Sequence, residues 1–410
     1  MNLFRKTLFT GFAPNLQGED VSIALSYIFC PWKWPQLQFG ETPEKVEAWL
    51  KKFFQVRTAV TYDSGRTALA MALRALDAGR GCDVLVQAYT CVVVVNAIQI
   101  TGAQPIFVDT KDHFFMDPVD AEKKITPRTK IMIIQHTFGI TADMDRLMAL
   151  AKKYRLRVIE DCAHTIGGAY RKKLLGTVGN VGIFSFGSDK IISCVRGGAA
   201  ITNDTEAGER LLVLQKELPP MSKLYVFRHL LHFPIFFIGK PFYHLGVGKI
   251  ILWLAKYTKL IPPVISDKEK GGEADPKFPT RFPNALGAIA LSQLAKVNSI
   301  NEHRKGIAQL YAMAFRQPID NNCPYLRFPL IVPHPEQLRA HAKKNGILLG
   351  DWYDAVVTPC LKGCPHVGYI TGTCPHAESD AKGSLNLPTD IHISTQDAKR
   401  IIECIQAYGI

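Results

Sequence analysis

Short apolar runs alternate with stretches of helical period between Val84 and Ile159. Val84-Leu85-Val86 reads as a strand, and the apolar stretch after Tyr89-Thr90-Cys91, reaching Ile100, has the length of a helix. Pro105-Ile106-Phe107-Val108 follows Gly102 as a second strand, and Ile131 to Ile134 is the unbroken apolar run of a strand covered on both faces. Beyond a turn at Gly139, Met144, Leu147, Met148, Ala151 and Tyr154 recur at helical spacing, with Thr141 or Asp143 available as the cap. Val158-Ile159 begins the next strand. Strand, helix and strand repeated in this way predict crossover units, a mostly parallel sheet and an α/β fold.

A different texture begins near Pro219 and runs to Gly272. No acidic residue lies between Glu217 and Asp267, whereas Lys223, Arg228, Lys240, Lys249, Lys256 and Lys259 stand among many Phe, Leu and Ile. Its apolar stretches, such as Phe233 to Gly239 and Ile250 to Ala255, stop well short of the ~20 residues that span a bilayer. Two readings stay open: a basic amphipathic element at a membrane surface, or an insertion packed against the core or a second subunit. The charged stretch from Asp267 to Pro276, with Gly271-Gly272, reads as a mobile loop. A helical pattern then runs from Ala285 to about Phe315, with Leu286, Ile289, Ala290, Leu294 and Val297 on one face. A final helix is expected near Thr395 to Tyr408. The expected division is a large domain over 1–217, a basic-apolar insertion over 218–275 and a smaller C-terminal α+β domain over 276–410.

The 410 residues are 47% hydrophobic and 21% charged, which excludes a disordered chain, a disulfide-stapled miniprotein and a single small binding module. Lys plus Arg number 49 against 36 Asp plus Glu, and the resulting +13 favours anionic partners without choosing among them. Ten Cys without dense even spacing read as reduced thiols, with no disulfide framework. The N-terminal residues show no sustained apolar run before a small-residue cleavage site, so export is not expected. The expected location is cytoplasmic, with membrane association left open by the acid-free segment.

Three stretches carry candidate chemistry. In VIEDCAHTIGGAY, residues 158–170, Asp161 falls at the C-terminal end of a buried strand, where open α/β sheets present ligand-binding groups. In FSFGSDKIISCVRGGAAITND, residues 184–204, Lys190 lies between strand-like runs, as a surface charge or as a buried amine tuned for Schiff-base chemistry. In TYDSGRTALAMALRAL, residues 61–76, a Ser-Gly turn opens an Ala- and Leu-rich helix. The free N–H groups around Ser64, Gly65 and Arg66 suit a phosphate, or merely a capped helix start.

Taken in order, these stretches resemble the DegT/DnrJ/StrS-type sugar aminotransferases, pyridoxal-phosphate (PLP) enzymes of fold type I. The resemblance runs from Ser64-Gly65 to Leu387-Pro388. It includes Gly102-Ala103 with Pro105 to Asp109, His136-Thr137-Phe138-Gly139 with Ala142 to Asp145, and Glu160-Asp161-Cys162-Ala163-His164. It continues through Phe184-Ser185-Phe186, Lys190, Gly197-Gly198 and Cys374-Pro375-His376-Ala377-Glu378. It implies that Lys190 holds PLP covalently and moves protons, and that Asp161 keeps the pyridine nitrogen protonated. It further implies that Tyr89 stacks on the ring, that His164 contacts the 3-oxygen side, and that Ser185 with the Gly65 and Arg66 amides binds the phosphate. Two residues depart from the family pattern: Arg66 replaces the usual Thr, and Arg196 replaces a common Glu. The first suggests a guanidinium contact to phosphate.

The function implied is transamination of a nucleotide-activated keto-sugar in amino-sugar and polysaccharide biosynthesis, with glutamate or glutamine as donor and a homodimer as the working form. Nucleic acid is not an expected partner. Alternatives are a sugar dehydratase of the same family, disfavoured because its lysine is replaced by His, and a non-catalytic scaffold of this fold, regulatory or at a membrane surface. Cys360, Cys364, His366, Cys374 and His376 could supply zinc ligands, but regular zinc spacing is missing and no metal is expected.

Overall fold

The structure, a computed structural model, describes residues 6–11, 13, 15–111, 114–273, 275, 277–360 and 367–409. Seven strands form the central sheet: β1 (Thr58–Tyr62), β2 (Asp83–Gln87), β3 (Gln104–Val108), β4 (Thr129–Gln135), β5 (Arg157–Asp161), β6 (Val181–Ser185) and β7 (Gly198–Thr202). Their order across the sheet is β1-β7-β6-β5-β4-β2-β3. Every neighbouring pair is parallel except those of β7, which is antiparallel to both β6 and β1. The chain between β6 and β7 forms no crossover helix, so β7 cannot return parallel to β6.

The apolar runs read as two-sided strands are covered on both faces. In β4, Ile131 and Ile133 pack with Leu69 and Val84 on one side, while Met132 and Ile134 pack with Leu147 and Leu150 on the other. Helix α1 (Gly18–Phe29) lies outside the sheet, and α2 (Gly65–Ala75), whose Ala68, Leu69, Met71 and Ala72 are buried, packs against it. Helices α3 (Val92–Gln99) and α4 (Met144–Tyr154) occupy the expected places, α4 capped by Asp143 rather than Thr141.

The acid-free segment folds as a helical hairpin, α5 (Lys223–Gly239) and α6 (Val247–Tyr257), with α5 packed along α1. A Cβ on Gly248 would overlap the Gly239 carbonyl, so close crossing of the two helices requires glycine there. None of the described helices is long and apolar enough to cross a membrane. The stretch expected as a loop after Asp267 contains a short helix, α7 (Asp267–Lys270), fixed by a capping box between Ser266 and Glu269. The single helix expected over 285–315 is two, α8 (Asn284–Leu294) and α9 (Val297–Ala314). The break carries no sequence breaker. It falls where Lys296 reaches Glu19 (2.7 Å) and Gln17 (3.1 Å) at the start of α1.

C-terminal residues build a smaller layer from the antiparallel pair Arg327–Ile331 and Ser384–Pro388, covered by α9 and by α10 (Thr395–Gln406). Leu8–Phe9 pairs in parallel with Ile347–Leu348, so the first strand of the chain joins this layer rather than the large sheet. Eight cysteines are free thiols, as expected. Cys360 corrects that reading: it is disulfide-bonded.

Candidate active site

The C-terminal ends of β4, β5 and β6 open into a cavity of about 1070 Å³, lined by Gln135, Asp161, His164, Ser185 and Lys190 among others. Strand ends are where a parallel sheet leaves backbone free to carry ligand groups, and the register sets those ends level: Gln135 pairs with Asp161, and Asp161 with Ile183. The far wall comes from the hairpin and from residues 351–359.

Lys190 stands in this cavity with its Nζ 5.0 Å from the centre of the Trp352 ring. Burial is the main influence on its amine, only partly opposed by Cys91, Asp161 and Asp189, and it brings the pKa from the ordinary 10.5 down to about 8. At pH 7 the neutral, nucleophilic amine is therefore roughly 300-fold more abundant than on a solvated lysine. Asp161 is buried, and its Oδ1 accepts the Ala163 N–H at 3.0 Å. Burial raises its pKa against the opposing influences of that N–H, Lys190 and His136. No side-chain cation lies within 4 Å of it among the described residues, so a cationic N–H donor entering the cavity would relieve a buried carboxylate.

The His164 ring is fixed at both ends. Its Nδ1 accepts the Phe138 N–H at 3.1 Å, which leaves the ring proton on Nε2, 3.2 Å from the Tyr353 hydroxyl. Burial first, then Lys190 and Arg327, hold its pKa far below 6.5, so this histidine is neutral. It stacks on Trp352 with ring centres 5.5 Å apart.

Ser64 caps α2 by accepting the Thr67 N–H. A Cβ on Gly65 would come within 2.7 Å of the Ser185 Cβ, so only glycine lets the start of α2 approach the end of β6 this closely. That approach sets the Gly65 and Arg66 amides beside the Ser185 hydroxyl, a donor set suited to a phosphate. The guanidinium of Arg66 is committed elsewhere, to Glu269 of α7 and the Val264 carbonyl (2.6 Å). Arg196 pairs with Asp63 at 2.8 Å, both side chains buried, while Thr67 Oγ1 donates to the other Asp63 oxygen at 2.5 Å. Both departures from the family pattern thus act as anchors around the Ser64 turn.

Seven of the eight expected residues, Ser64, Gly65, Arg66, Asp161, His164, Ser185 and Lys190, line the one cavity. Tyr89 does not. It is fully buried with φ 69°, and its hydroxyl accepts the Tyr353 N–H (2.9 Å) and donates to the Trp352 carbonyl (3.2 Å). Cys91, two positions later, lines the cavity instead, and the sequence reading missed it together with Trp352 and Tyr353. The aromatic pair in Asp351-Trp352-Tyr353-Asp354 was visible, but no spacing ties it to Lys190.

Among the described residues the zinc candidates do not assemble into a site. Cys364 and His366 lie outside the described residues, Cys360 is disulfide-bonded, and His376 Nδ1 stands 3.1 Å from Asp109. His136, Glu160 and Cys162 do cluster, all buried. Glu160, however, accepts three backbone N–H groups from Gly176, Val178 and Gly179 at 2.7–2.9 Å and pairs with His136, so its oxygens are already used.

The sequence profile of the DegT/DnrJ/EryC1/StrS aminotransferase family matches residues 33–221 and 266–406. The dTDP-3-amino-3,4,6-trideoxy-alpha-D-glucose transaminase of Streptomyces venezuelae is 29% identical over 383 residues, 90% of this chain and 88% of that one. GDP-perosamine synthase of Escherichia coli O157:H7 is 36% identical over 202 residues, 49% of this chain, and the match spans just over half, 55%, of that enzyme. The structure of S. venezuelae DesV in complex with a ketimine intermediate superposes with a TM-score of 0.73 at 26% identity, covering 95% of this chain and 94% of that one.

Proposed function

The chain belongs to the DegT/DnrJ/EryC1/StrS aminotransferase family, whose members use pyridoxal phosphate, and from that premise we propose that it transaminates a nucleotide-activated keto-sugar in amino-sugar biosynthesis. The amino donor in this reading is glutamate or glutamine. The observation that carries it is a buried lysine with its pKa lowered to about 8, sharing a strand-end cavity with the buried carboxylate of Asp161. These residues fit PLP, which when bound supplies a reversible covalent handle for amino groups and an electron sink.

In this assignment Lys190 is the attachment point and the proton carrier between substrate carbon and cofactor. Asp161 accepts the ring N–H and keeps it protonated. Neutral His164, unable to titrate near neutral pH in this setting, offers its Nε2 side and Trp352 its ring face. The phosphate lies at the start of α2, held by the Gly65 and Arg66 amides and the Ser185 hydroxyl, with Ser64 fixing the turn. Tyr89 acts from behind the wall by holding Trp352 and Tyr353. A lysine at 190 disfavours the dehydratase reading, whose reaction has no such residue.

The proposal extends to a homodimer as the working form, with its active sites at the subunit interface, and to peripheral membrane contact through 218–266. The test is a screen of keto-sugar nucleotides with glutamate and glutamine as donors. The purified protein should absorb visible light through its bound cofactor, borohydride should fix that cofactor on Lys190, and Lys190→Ala should lower turnover by roughly 10²–10⁴-fold or more. A wild-type protein that stays colourless and takes up no added PLP overturns the reading.

A further inference from the structure

The acid-free hairpin presents apolar side chains on both of its sides. On α6, Gly248, Leu252 and Ala255 are buried against the rest of the protein. Ile250, Trp253, Leu254 and Tyr257, at positions i, i+3, i+4 and i+7, point outward as an exposed stripe, Tyr257 at 72% exposure and Trp253 at 59%. Phe237 and Ile238 at the end of α5 are exposed too. Exposed apolar side chains are not confined to the insertion. Helix α1 packs along α5, and the short 3-10 helix Pro31–Leu37 that follows α1 also touches α5. There Phe29 and Trp32 stand 72% and 73% exposed.

Lys223 and Lys249 are exposed cations of the segment, Lys256 and Lys259 line the cavity on its inner side, and no carboxylate occurs between residues 218 and 266. An 11-residue helix is about 16 Å long, roughly half the hydrocarbon thickness of a bilayer, so α6 is suited to lie in an interface and not to span it. The segment also falls in the gap between the two stretches that the family profile matches, so the shared chemistry does not account for it.

We infer that this face docks on an anionic lipid bilayer, with Trp32, Trp253 and Tyr257 seated at headgroup depth and the lysines against the lipid charges. The inference deepens the membrane contact proposed above and does not depend on the transaminase reading. Charge decides against a second copy as occupant, because a two-fold contact through this face would set lysines against lysines with no carboxylate from the segment between them.

The experiment is co-sedimentation of the full-length holoprotein with phosphatidylcholine vesicles, with and without phosphatidylglycerol. The protein should pellet with the anionic vesicles and be released as salt is raised. The triple variant Ile250→Ser/Trp253→Ser/Tyr257→Ser should bind on the order of tenfold more weakly, with thermal unfolding and cofactor absorbance unchanged. Trp32→Ser, distant in sequence, should weaken binding as well. Failure of the wild type to pellet with anionic vesicles overturns the inference, as does equal pelleting of the triple variant. A triple variant that changes oligomeric state while vesicle binding persists assigns the face to a second copy and equally overturns it. Since the sugar-nucleotide assay is run without lipid, loss of vesicle binding and loss of transamination are read separately.

Discussion

Lys190 is the residue at which burial becomes chemistry. Its pKa of about 8 in the folded protein lies below the ordinary 10.5, so between those values the unfolded chain carries a proton that the folded chain does not. Stability of the cofactor-free protein should therefore rise with pH from about 8 toward 10.5 through this residue. Melting temperatures measured across that range should show the increment in wild type and its absence in Lys190→Met. Arg196 forms a buried ion pair with Asp63. Arg196→Met leaves the Asp63 carboxylate unpaired at 0% exposure and should cost about 3–5 kcal/mol in denaturant unfolding. Adding Asp63→Asn should recover much of that loss.

Among the elements, the start of α2 against the end of β6 positions the proposed phosphate site. Gly65→Ala inserts a Cβ 2.7 Å from the Ser185 Cβ and 3.2 Å from its Cα, and neither atom is the end of a flexible side chain. The element must shift, and titration of the apoprotein with PLP should show affinity falling by roughly tenfold or more, with far-UV circular dichroism preserved. Most elements were legible because their physics is local. Ile131 to Ile134 reads as a strand because both faces are covered, and Met144 to Tyr154 as a helix because one face is. The break at Ala295-Lys296 was not legible, since no breaker residue stands there and Lys296 meets Glu19 and Gln17, some 280 residues away in sequence.

For the whole molecule, a strap around Glu269 helps tie the insertion to the central sheet layer. Glu269 pairs with Arg66, and its carbonyl accepts the Asn96 side-chain N–H at 2.8 Å, joining α7 to both α2 and α3. Glu269→Gln should speed hydrogen exchange across residues 262–273 while leaving the central strands protected; unchanged exchange there would deny the strap this role. The strap also shows where sequence reading ends. Asp161 and the Ser64-Gly65 turn were legible as a strand end and a helix start, whereas Lys190 and His164 were singled out only by resemblance to the family pattern. Tyr89, expected at the ring from the same resemblance, lies behind the wall, where a positive φ and hydrogen bonds to residues 352 and 353 hold it away from the cavity. The Arg66 guanidinium was expected at a phosphate and instead meets Glu269, and Trp352 reaches Lys190 from 162 positions away. The sequence by itself determined the strands, the helices and the residue types at their ends, since these follow from short-range sterics and burial pattern. Which of those side chains face one another was decided by tertiary structure alone, because pairing across the fold depends on packing between segments that share no local pattern.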